Sequence, residues 1–586
     1  MPRSTRVYKK VKNKGNRYYR TRPVQHNNEH VVNRPNSVEN SGSDIQVIID
    51  TPPSASKKKI TSNHLENVED NNGNINIVID LGILCRVLCE TLSCNLCGGK
   101  IIMYENADAR NGLVCKLTIR CTNCQSEKTF QTSNKCINTD LFETNARLFY
   151  GLRCIGKGFN AGKVLCAMLN LPSPPTRYSK YTDIIGECVN SVATDSMKSA
   201  TQEAVAVNEG NTDISIAFDG SWQKRGHVSK NGCATATSID TGKVIDFEIL
   251  TKYCQGCTIA GKNKDKVTAH KQVCTKNYEG SSGGMEVAAA MAIFHRSIQE
   301  RGVRYINYLG DGDCKSFKAV LDSKPYDVAI KKLECVGHVK KRMGTRLRKL
   351  KRQLGSTPLS DGKPIKNAGR LTDPIITELQ EYYGSAIRNN VHNGVEIMRR
   401  AVWATFFHRV STDEKPSHQL CPPPPDTWCK YRKAEALGCL KEYKHKHSLP
   451  FAVMEAIKPV YRDLSNTDLL KKCLHGKTQN VNEGFNNIVW CRVPKNVFVG
   501  YKTLKLGVSD AVITWNDGNI GRVKVLRALG MKSGENTMHA LQSLDKLRIQ
   551  KAEAAALQMT KEARKKRRMA NQIPDEEEAD YLAGGF

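Results

Sequence analysis

Two C-x2-C pairs, Cys94-Asn95-Leu96-Cys97 and Cys121-Thr122-Asn123-Cys124, stand 23 residues apart and bracket the strand-like run Lys116-Leu117-Thr118-Ile119-Arg120. Each pair offers two thiolates, and a tetrahedral Zn2+ joining two such knuckles makes a zinc ribbon. Farther on, Cys254-Gln255-Gly256-Cys257 is followed after 12 residues by His270-Lys271-Gln272-Val273-Cys274. That C-x2-C-x12-H-x3-C spacing is the ligand spacing of a zinc finger with Cys as its last ligand. Cys335-Val336-Gly337-His338 supplies two more ligands, too few to close a site; Cys421 and Cys429, flanking Pro422-Pro423-Pro424-Pro425 and Trp428, are the candidates to complete it. Buried thiols without metal are the alternative for the three cysteines, with His338 then placed to position a bound partner.

Hard cations call for oxygen ligands, and three acidic positions have the setting for them. Asp219 closes the apolar run Asp213-Ile214-Ser215-Ile216-Ala217-Phe218-Asp219. Asp311 and Asp313 follow the strand-like Arg304-Tyr305-Ile306-Asn307-Tyr308-Leu309 in Gly310-Asp311-Gly312-Asp313, and Asp311 is favoured as the first polar position after that run. Glu483, in Asn480-Val481-Asn482-Glu483-Gly484-Phe485-Asn486, opens a segment of helical periodicity. Singly, an Asp before Gly forms turns and a Glu in a first helical turn complements the helix dipole. Two-metal nucleic-acid chemistry needs such carboxylates to converge on ions about 3.5–4 Å apart, so distant elements must bring them together.

The charge of the chain names the class of partner. It carries 89 Lys+Arg against 58 Asp+Glu, a net +31 over 586 residues, and so large an excess implies a polyanion. No run approaches the ~18 consecutive apolar residues of a spanning helix. The basic N-terminus lacks the apolar stretch of a signal peptide. The 22 cysteines therefore read as metal thiolates in a reducing compartment rather than as disulfides. A hydrophobic content of 39% rules out a wholly disordered chain.

The elements that must position these groups follow from periodicity and breakers. Residues 1–75, rich in Asn, Ser, Lys and Arg, are expected to be disordered. Their basic clusters Tyr8-Lys9-Lys10-Val11-Lys12 and Lys57-Lys58-Lys59 suit nuclear targeting, phosphate contact or plain solvation. Residues 76–136 hold the ribbon. Residues 137–210 form a helical DNA-binding segment, with helical patterns over Leu141–Leu169 and Tyr181–Val207 separated by Leu171-Pro172-Ser173-Pro174-Pro175. Residues 211–337 read as three strands in a meander, a helix over Met285–Gln299, the strand at 304–309 and another between Asp327 and Cys335. Residues 338–474 are helical, 475–530 carry Glu483, and 531–586 hold a helix from Thr537 to Arg568 and a charge-segregated tail. The fold class is thus α+β and multidomain. In a ribonuclease H-like topology the first and fourth strands of a β-β-β-α-β order lie side by side, which would set Asp219 beside the Gly310–Asp313 turn.

The helix that begins at His338 presents Lys340, Lys341, Arg342, Arg346, Arg348 and Lys349 for DNA contact. Arg342, Arg346 and Lys349 recur every three to four residues and are expected to share one face that meets phosphate rather than bases. Trp222 and Trp403 offer stacking surfaces, although Trp222 beside Asp219 suits a core position better.

Several of these motifs in one order, F-D-G-S-W, G-D-G-D-C-K, E-C-V-G-H-V and T-Q-N-V-N-E-G-F-N-N, resemble the Mutator-like transposases of eukaryotic DNA transposons, particularly the form found in arthropod genomes. The likeness runs from the ribbon to beyond Trp490. It implies a ribonuclease H-like catalytic core with an Asp-Asp-Glu triad of Asp219, Asp311 (or Asp313) and Glu483, split by a long helical insertion before the Glu. It also implies two Mg2+ or Mn2+ ions per active site, double-stranded DNA as partner at transposon ends and target, a homo-oligomer on DNA and a nuclear location. The Cys335/His338 pair recurs in that family. Gly484 departs from it, since the position after the Glu is commonly Ser. The alternative function is a domesticated zinc-binding DNA-binding or chromatin protein with an inactive core.

Overall fold

The computed structural model describes residues 54–60, 75–223, 229–261, 270–310, 315–425 and 427–558. The basic cluster at 8–12 and the charged tail beyond 558 lie outside them.

After a helix α1 (Leu81–Thr91), capped by Asp80 accepting from the Ile83 amide at 3.0 Å, the ribbon forms a three-stranded antiparallel sheet. Its strands are β1 (Ile101–Asn111), β2 (Val114–Cys121) and β3 (Glu127–Gln131), in the order β1-β2-β3. The β1–β2 turn is built on Gly112, whose φ is +59° and whose added Cβ would come within 2.6 Å of Asn145 Oδ1. Glycine is required on both counts. Asn145 uses that closeness to tie the sheet to the next helix, α2 (Glu143–Cys154): its Oδ1 accepts from the Leu113 amide and its Nδ2 donates to the Asn111 carbonyl, each at 2.9 Å.

The helical pattern over 141–169 resolves into two helices, α2 and α3 (Phe159–Met168). The chain breaks at Gly156, with φ +71°, where a Cβ would lie 2.2 Å from the Cys491 carbonyl oxygen. A thirty-residue helix, α4 (Tyr178–Val207), follows.

The second sheet comprises β4 (Asp213–Trp222), β5 (Asn231–Ser238), β6 (Val244–Thr251), β7 (Arg304–Gly310) and β8 (Lys331–Glu334), in the order β6-β5-β4-β7-β8. The first three form the expected antiparallel meander, while β7 runs parallel to β4 and β8 parallel to β7. Parallel neighbours need crossovers. Helix α5 (Gly284–Arg296), extended by a π-turn over Ser297–Arg301, lies between β6 and β7, and α6 (Lys315–Ser323) lies between β7 and β8.

Strand alternation divides the sheet's side chains between two cores. Ile214, Ile216 and Phe218 of β4 pack with Tyr305, Tyr308 and the α5 residues Met285, Ile293 and Phe294. Cys233, Val244 and Ile249 face the other way, into a core with α4, α11 (Asn480–Arg492) and α12 (Tyr501–Asn516). Between β8 and α11 the chain is helical as expected: α7 (Val336–Leu354), α8 (Asp373–Arg388), α9 (Val395–Val410) and α10 (Phe451–Leu464) enclose a core of their own around Met343, Leu347, Tyr383 and Tyr461. Trp403 packs against that core, 5.4 Å from Phe406 between ring centroids, and Trp222 packs against the sheet core. Both expected stacking surfaces are therefore packed against protein.

A second departure concerns the tail. Lys57-Lys58-Lys59 lies in a short helix, Ala55–Lys59, where disorder was expected. Lys59 is buried, with Nζ 3.4 Å from the centroid of the Trp515 ring, and Lys57 pairs with Glu553 at 3.4 Å. Burial, then the nearby charges of Arg548 and Lys243, push the Lys59 ammonium well below its ordinary pKa. Aromatic packing, which composition does not reveal, outweighs the segment's polarity.

Asp510 of α12 ties several elements together. It is buried and accepts from Tyr150 Oη at 2.8 Å, from Arg522 at 2.9 and 3.0 Å and from Arg492 Nε. Burial alone would raise its pKa, but the charges of Arg522 and Arg492 outweigh it and hold the carboxyl far below the usual range. A depressed pKa stabilises the fold fully above the unfolded-state value of about 4, and that stability is lost as pH falls through the folded value. Asp510→Ala leaves two arginines without their common counter-ion and is expected to cost about 3–5 kcal/mol. Thermal unfolding of the full chain at neutral pH should show a drop of several degrees, and the gap to wild type should close in strong acid.

Candidate active site and metal centres

Asp219 lies inside β4, opposite Thr235 of β5, rather than at the strand's end. The parallel pairing of β4 with β7 stops at Ala217 opposite Leu309, and β7 ends at Gly310. Asp219 therefore stands just beyond the paired part of the two parallel strands, where the chain leaves β7. Alternation puts Asp219 on the face opposite Phe218, the face shared with Ala217 and Ser221.

Helix α11 docks on that face through polar side chains spaced at three and four residues. Gln479 Nε2 donates to the Phe218 carbonyl at 2.8 Å and Asn482 Nδ2 to the Ala217 carbonyl at 3.2 Å. One turn on, Asn486 Nδ2 donates to Asp219 Oδ2 at 2.8 Å, and Trp490 Nε1 to Ser221 Oγ at 2.8 Å. Glu483 sits within this ladder, in the first turn of α11, and is exposed. The helix that carries Glu483 is thereby fixed against Asp219 of the central strand β4, 264 positions away in sequence.

The Cys335/His338 pair belongs to this same place. Cys335 caps the start of α7, buried against Ala217 and Leu309, and its Sγ accepts from the Gln479 amide at 3.3 Å. Burial would raise the thiol's pKa, but hydrogen bonding to His338 and to the Gln479 and His338 amides leaves it below the ordinary value. His338 Nε2 lies 3.9 Å from Glu483 Oε1. Asp311 and Asp313 lie outside the described residues.

The grouping of Cys335 and His338 with Cys421 and Cys429 is corrected. Cys421 and Cys429 gather instead with His408 and His418, four ligand atoms within 4.8 Å of one another, while Cys335 and His338 face the start of α11. The reason is topological: α7 leads away from the sheet, and the loop after α9 folds back onto α9. The spacing His418-Gln419-Leu420-Cys421, an H-x2-C pair, was the available signal for this group.

The two groups read from spacing come together. Cys94, Cys97, Cys121 and Cys124 lie within 4.8 Å of one another, as do Cys254, Cys257, His270 and Cys274. A zinc tetrahedron with Zn–S of 2.3 Å and Zn–N of 2.0–2.1 Å has edges of about 3.8 Å between sulfurs and about 3.6 Å between sulfur and nitrogen. Cys94–Cys124 and Cys97–Cys121 are 3.6 and 3.5 Å apart; Cys254–His270 and Cys257–Cys274, at 3.0 and 3.3 Å, are tighter. A backbone bond at Gly99, then the Cys121 thiol, bring Cys97 down to about 6. Burial opposes ionisation of Cys254, but hydrogen bonds around Thr275, Cys257 and His270 bring it to about 5. These donor sets fit Zn2+.

The basic helix differs from its sequence reading. Arg342 is turned onto buried Glu334 at 2.6 Å, Arg346 pairs with Asp463 at 3.3 Å and Lys340 with Glu381. Arg348 reaches Thr377 at 3.4 Å. Arg346 and Arg348 are exposed nonetheless, as are Lys341, Lys349 and Arg352, and the last three are spaced so as to share the outward face. Of Arg342, Arg346 and Lys349, Arg342 is thus turned in toward buried Glu334, while Arg346, in a surface pair with Asp463, and Lys349 are exposed.

A family model described as Mutator-like transposase matches residues 74–429. That stretch takes in the ribbon, the whole second sheet and the third Cys/His group, and it ends before Glu483. No curated protein matches the chain.

Proposed function

The chain belongs to the Mutator-like transposase family, and from that premise we propose that it binds the terminal inverted repeats of a transposon and catalyses metal-dependent DNA cleavage and strand transfer in the nucleus, as a homo-oligomer. The acids are Asp219, Glu483 and one of Asp311 and Asp313, on a ribonuclease H-like core interrupted by the helical segment between β8 and α11. The observation that carries this reading is the Asn486–Asp219 hydrogen bond one turn from Glu483, on the central strand of a sheet ordered β6-β5-β4-β7-β8. No described helix is long and apolar enough to cross a membrane.

The donor set fits hard cations: carboxylate oxygens from two elements, with the nearby thiols kept from the site, Cys335 by its bond from the Gln479 amide and Cys233 by burial in the core beneath α11. Asp219 and Glu483 would hold Mg2+ or Mn2+, which when bound would supply water activation and charge neutralisation for in-line displacement at phosphorus. The chain's own part is positioning. Asn486 fixes the rotamer of Asp219, Gln479 and Asn482 lock α11 to β4, and His338 beside Glu483 steadies the second carboxylate. Gly484 packs α11 against Trp515, where an added Cβ would come to 3.2 Å, so a Ser there requires the ring to give by a few tenths of an ångström.

The decisive experiment incubates the full chain with Mg2+ and a duplex ending in the element's inverted repeat, together with a target plasmid. Cleavage at the end and joining to the plasmid are expected. Binding without cleavage leaves a DNA-binding protein with an inactive core, and cleavage without joining leaves a nuclease.

The exposed basic face predicts how DNA is held. Replacing Lys341, Lys349 and Arg352 with Gln should weaken binding to repeat and random duplex alike and flatten log K against log salt by about 2.7 units, at ~0.9 per phosphate contact. A selective loss of repeat binding with an unchanged slope would make this face a reader of bases.

A further inference from the structure

We propose that His408, His418, Cys421 and Cys429 form a third zinc site, closed and structural, inside the helical segment. His408 comes from the last turn of α9, and the other three from the loop that follows it. His408 Nδ1 and His418 Nδ1 are 3.2 Å apart, against about 3.3 Å for the nitrogen edge of a zinc tetrahedron. Cys421 Sγ lies 3.7 Å from each of these nitrogens, and Cys429 Sγ lies 3.7 and 3.4 Å from them, against about 3.6 Å for a mixed edge. Five edges of two chemistries thus agree with one ion. His418, Cys421 and Cys429 are buried, where unpaired polar groups are costly.

The surroundings are wired as a metal-bound imidazole requires. His418 Nε2, turned away from the sulfurs, lies 2.8 Å from Ser411 Oγ and 2.9 Å from His445 Nε2, and His445 Nδ1 lies 2.6 Å from Asp413 Oδ1. One assignment satisfies the chain: His445 donates from Nδ1 to Asp413 and accepts at Nε2 from His418 Nε2–H. That leaves the His418 Nδ1 lone pair facing the cluster, a carboxylate-imidazole-imidazole relay of the kind that orients metal-binding histidines. Tyr431 stacks on His418 at 4.1 Å and fixes the ring's plane. Four protein ligands leave no position for water or substrate, which makes the ion a brace and not a catalyst. What it braces is the loop carrying Pro422, Pro423 and Trp428, one wall of a cavity of about 1170 Å3 that Arg400, Lys430 and Lys446 also line.

The test is the zinc content of the purified full chain. Cys421→Ser/Cys429→Ser should hold one zinc fewer than wild type, whatever the wild-type total, while Cys335→Ser/His338→Ala should hold as many as wild type. Equal content in wild type and the first variant overturns the proposal, and a loss in the second variant overturns the ligand set. Should the first variant fail to fold, X-ray absorption of the wild-type chain decides. With this site filled beside the other two, the ligands average three sulfurs and one nitrogen per zinc; an average with at most half a nitrogen per zinc refutes it.

Discussion

Asp219→Asn and Glu483→Gln are each expected to lower metal-dependent cleavage of repeat-ended DNA by about a thousandfold or more, a loss of ~4 kcal/mol of transition-state stabilisation. Both replacements keep shape and remove the charge that holds a cation. Glu483 is exposed, so its replacement should leave thermal unfolding and zinc content where they were. At position 219 the Asn486 amide that now donates to Oδ2 can still meet the oxygen of a new Asn. The same assay applied to Asp311→Asn and Asp313→Asn assigns the third acid, since only the metal ligand should show the full loss. Retention of cleavage in Glu483→Gln would remove α11 from the chemistry and leave its polar contacts with β4 as packing alone.

Removing zinc should undo the ribbon altogether. The cluster between its knuckles is Cys94, Ile101 and Cys121, with Ile119 partly covered; Met103, Val114 and Leu117 are the other buried apolar residues of its strands, and every residue of β3 is exposed. So small a core cannot offset the entropy of ordering three strands. The metal must, and structural zinc in comparable small modules contributes on the order of 10–16 kcal/mol that appears as folding free energy. A chelator, or Cys97→Ser with Cys121→Ser, should therefore expose residues 94–131 to protease while the second sheet stays resistant, and binding to repeat DNA should weaken. Unchanged protection of this stretch in the chelator would show that the strands stand without an ion.

What could be read from sequence followed the range of the signal. The cysteine knuckles and the meander β4-β5-β6 are local, fixed by spacing and alternation, and the structure has both. The approach of α11, which carries Glu483, to Asp219 spans 264 positions, and only the strand order together with the family likeness pointed to it. The basic helix shows the limit. Spacing shows which residues of α7 share a face, but not that Glu334 of β8 and Asp463 of α10 claim Arg342 and Arg346. The same holds for His408 and His418, whose partnership with Cys421 and Cys429 depends on a loop returning to its own helix. Lys59 looked like part of a solvated tail because nothing near it in sequence announces Trp515.

The helical segment between β8 and α11 enters and leaves the sheet through one narrow stem. The Glu334 amide donates to the Lys472 carbonyl at 2.9 Å and the Val336 amide to the Lys477 carbonyl at 3.3 Å, so its two ends lie side by side. The cost of closing an excursion grows only with the logarithm of its length, and here the segment's own core holds the ends together. The sheet therefore senses the stem and the first turns of α7, through His338 and Arg342, and not the rest of the bundle. Residues can be gained, lost or exchanged inside the bundle, as in a cassette, while Glu483 keeps its distance from Asp219 so long as those stem bonds persist.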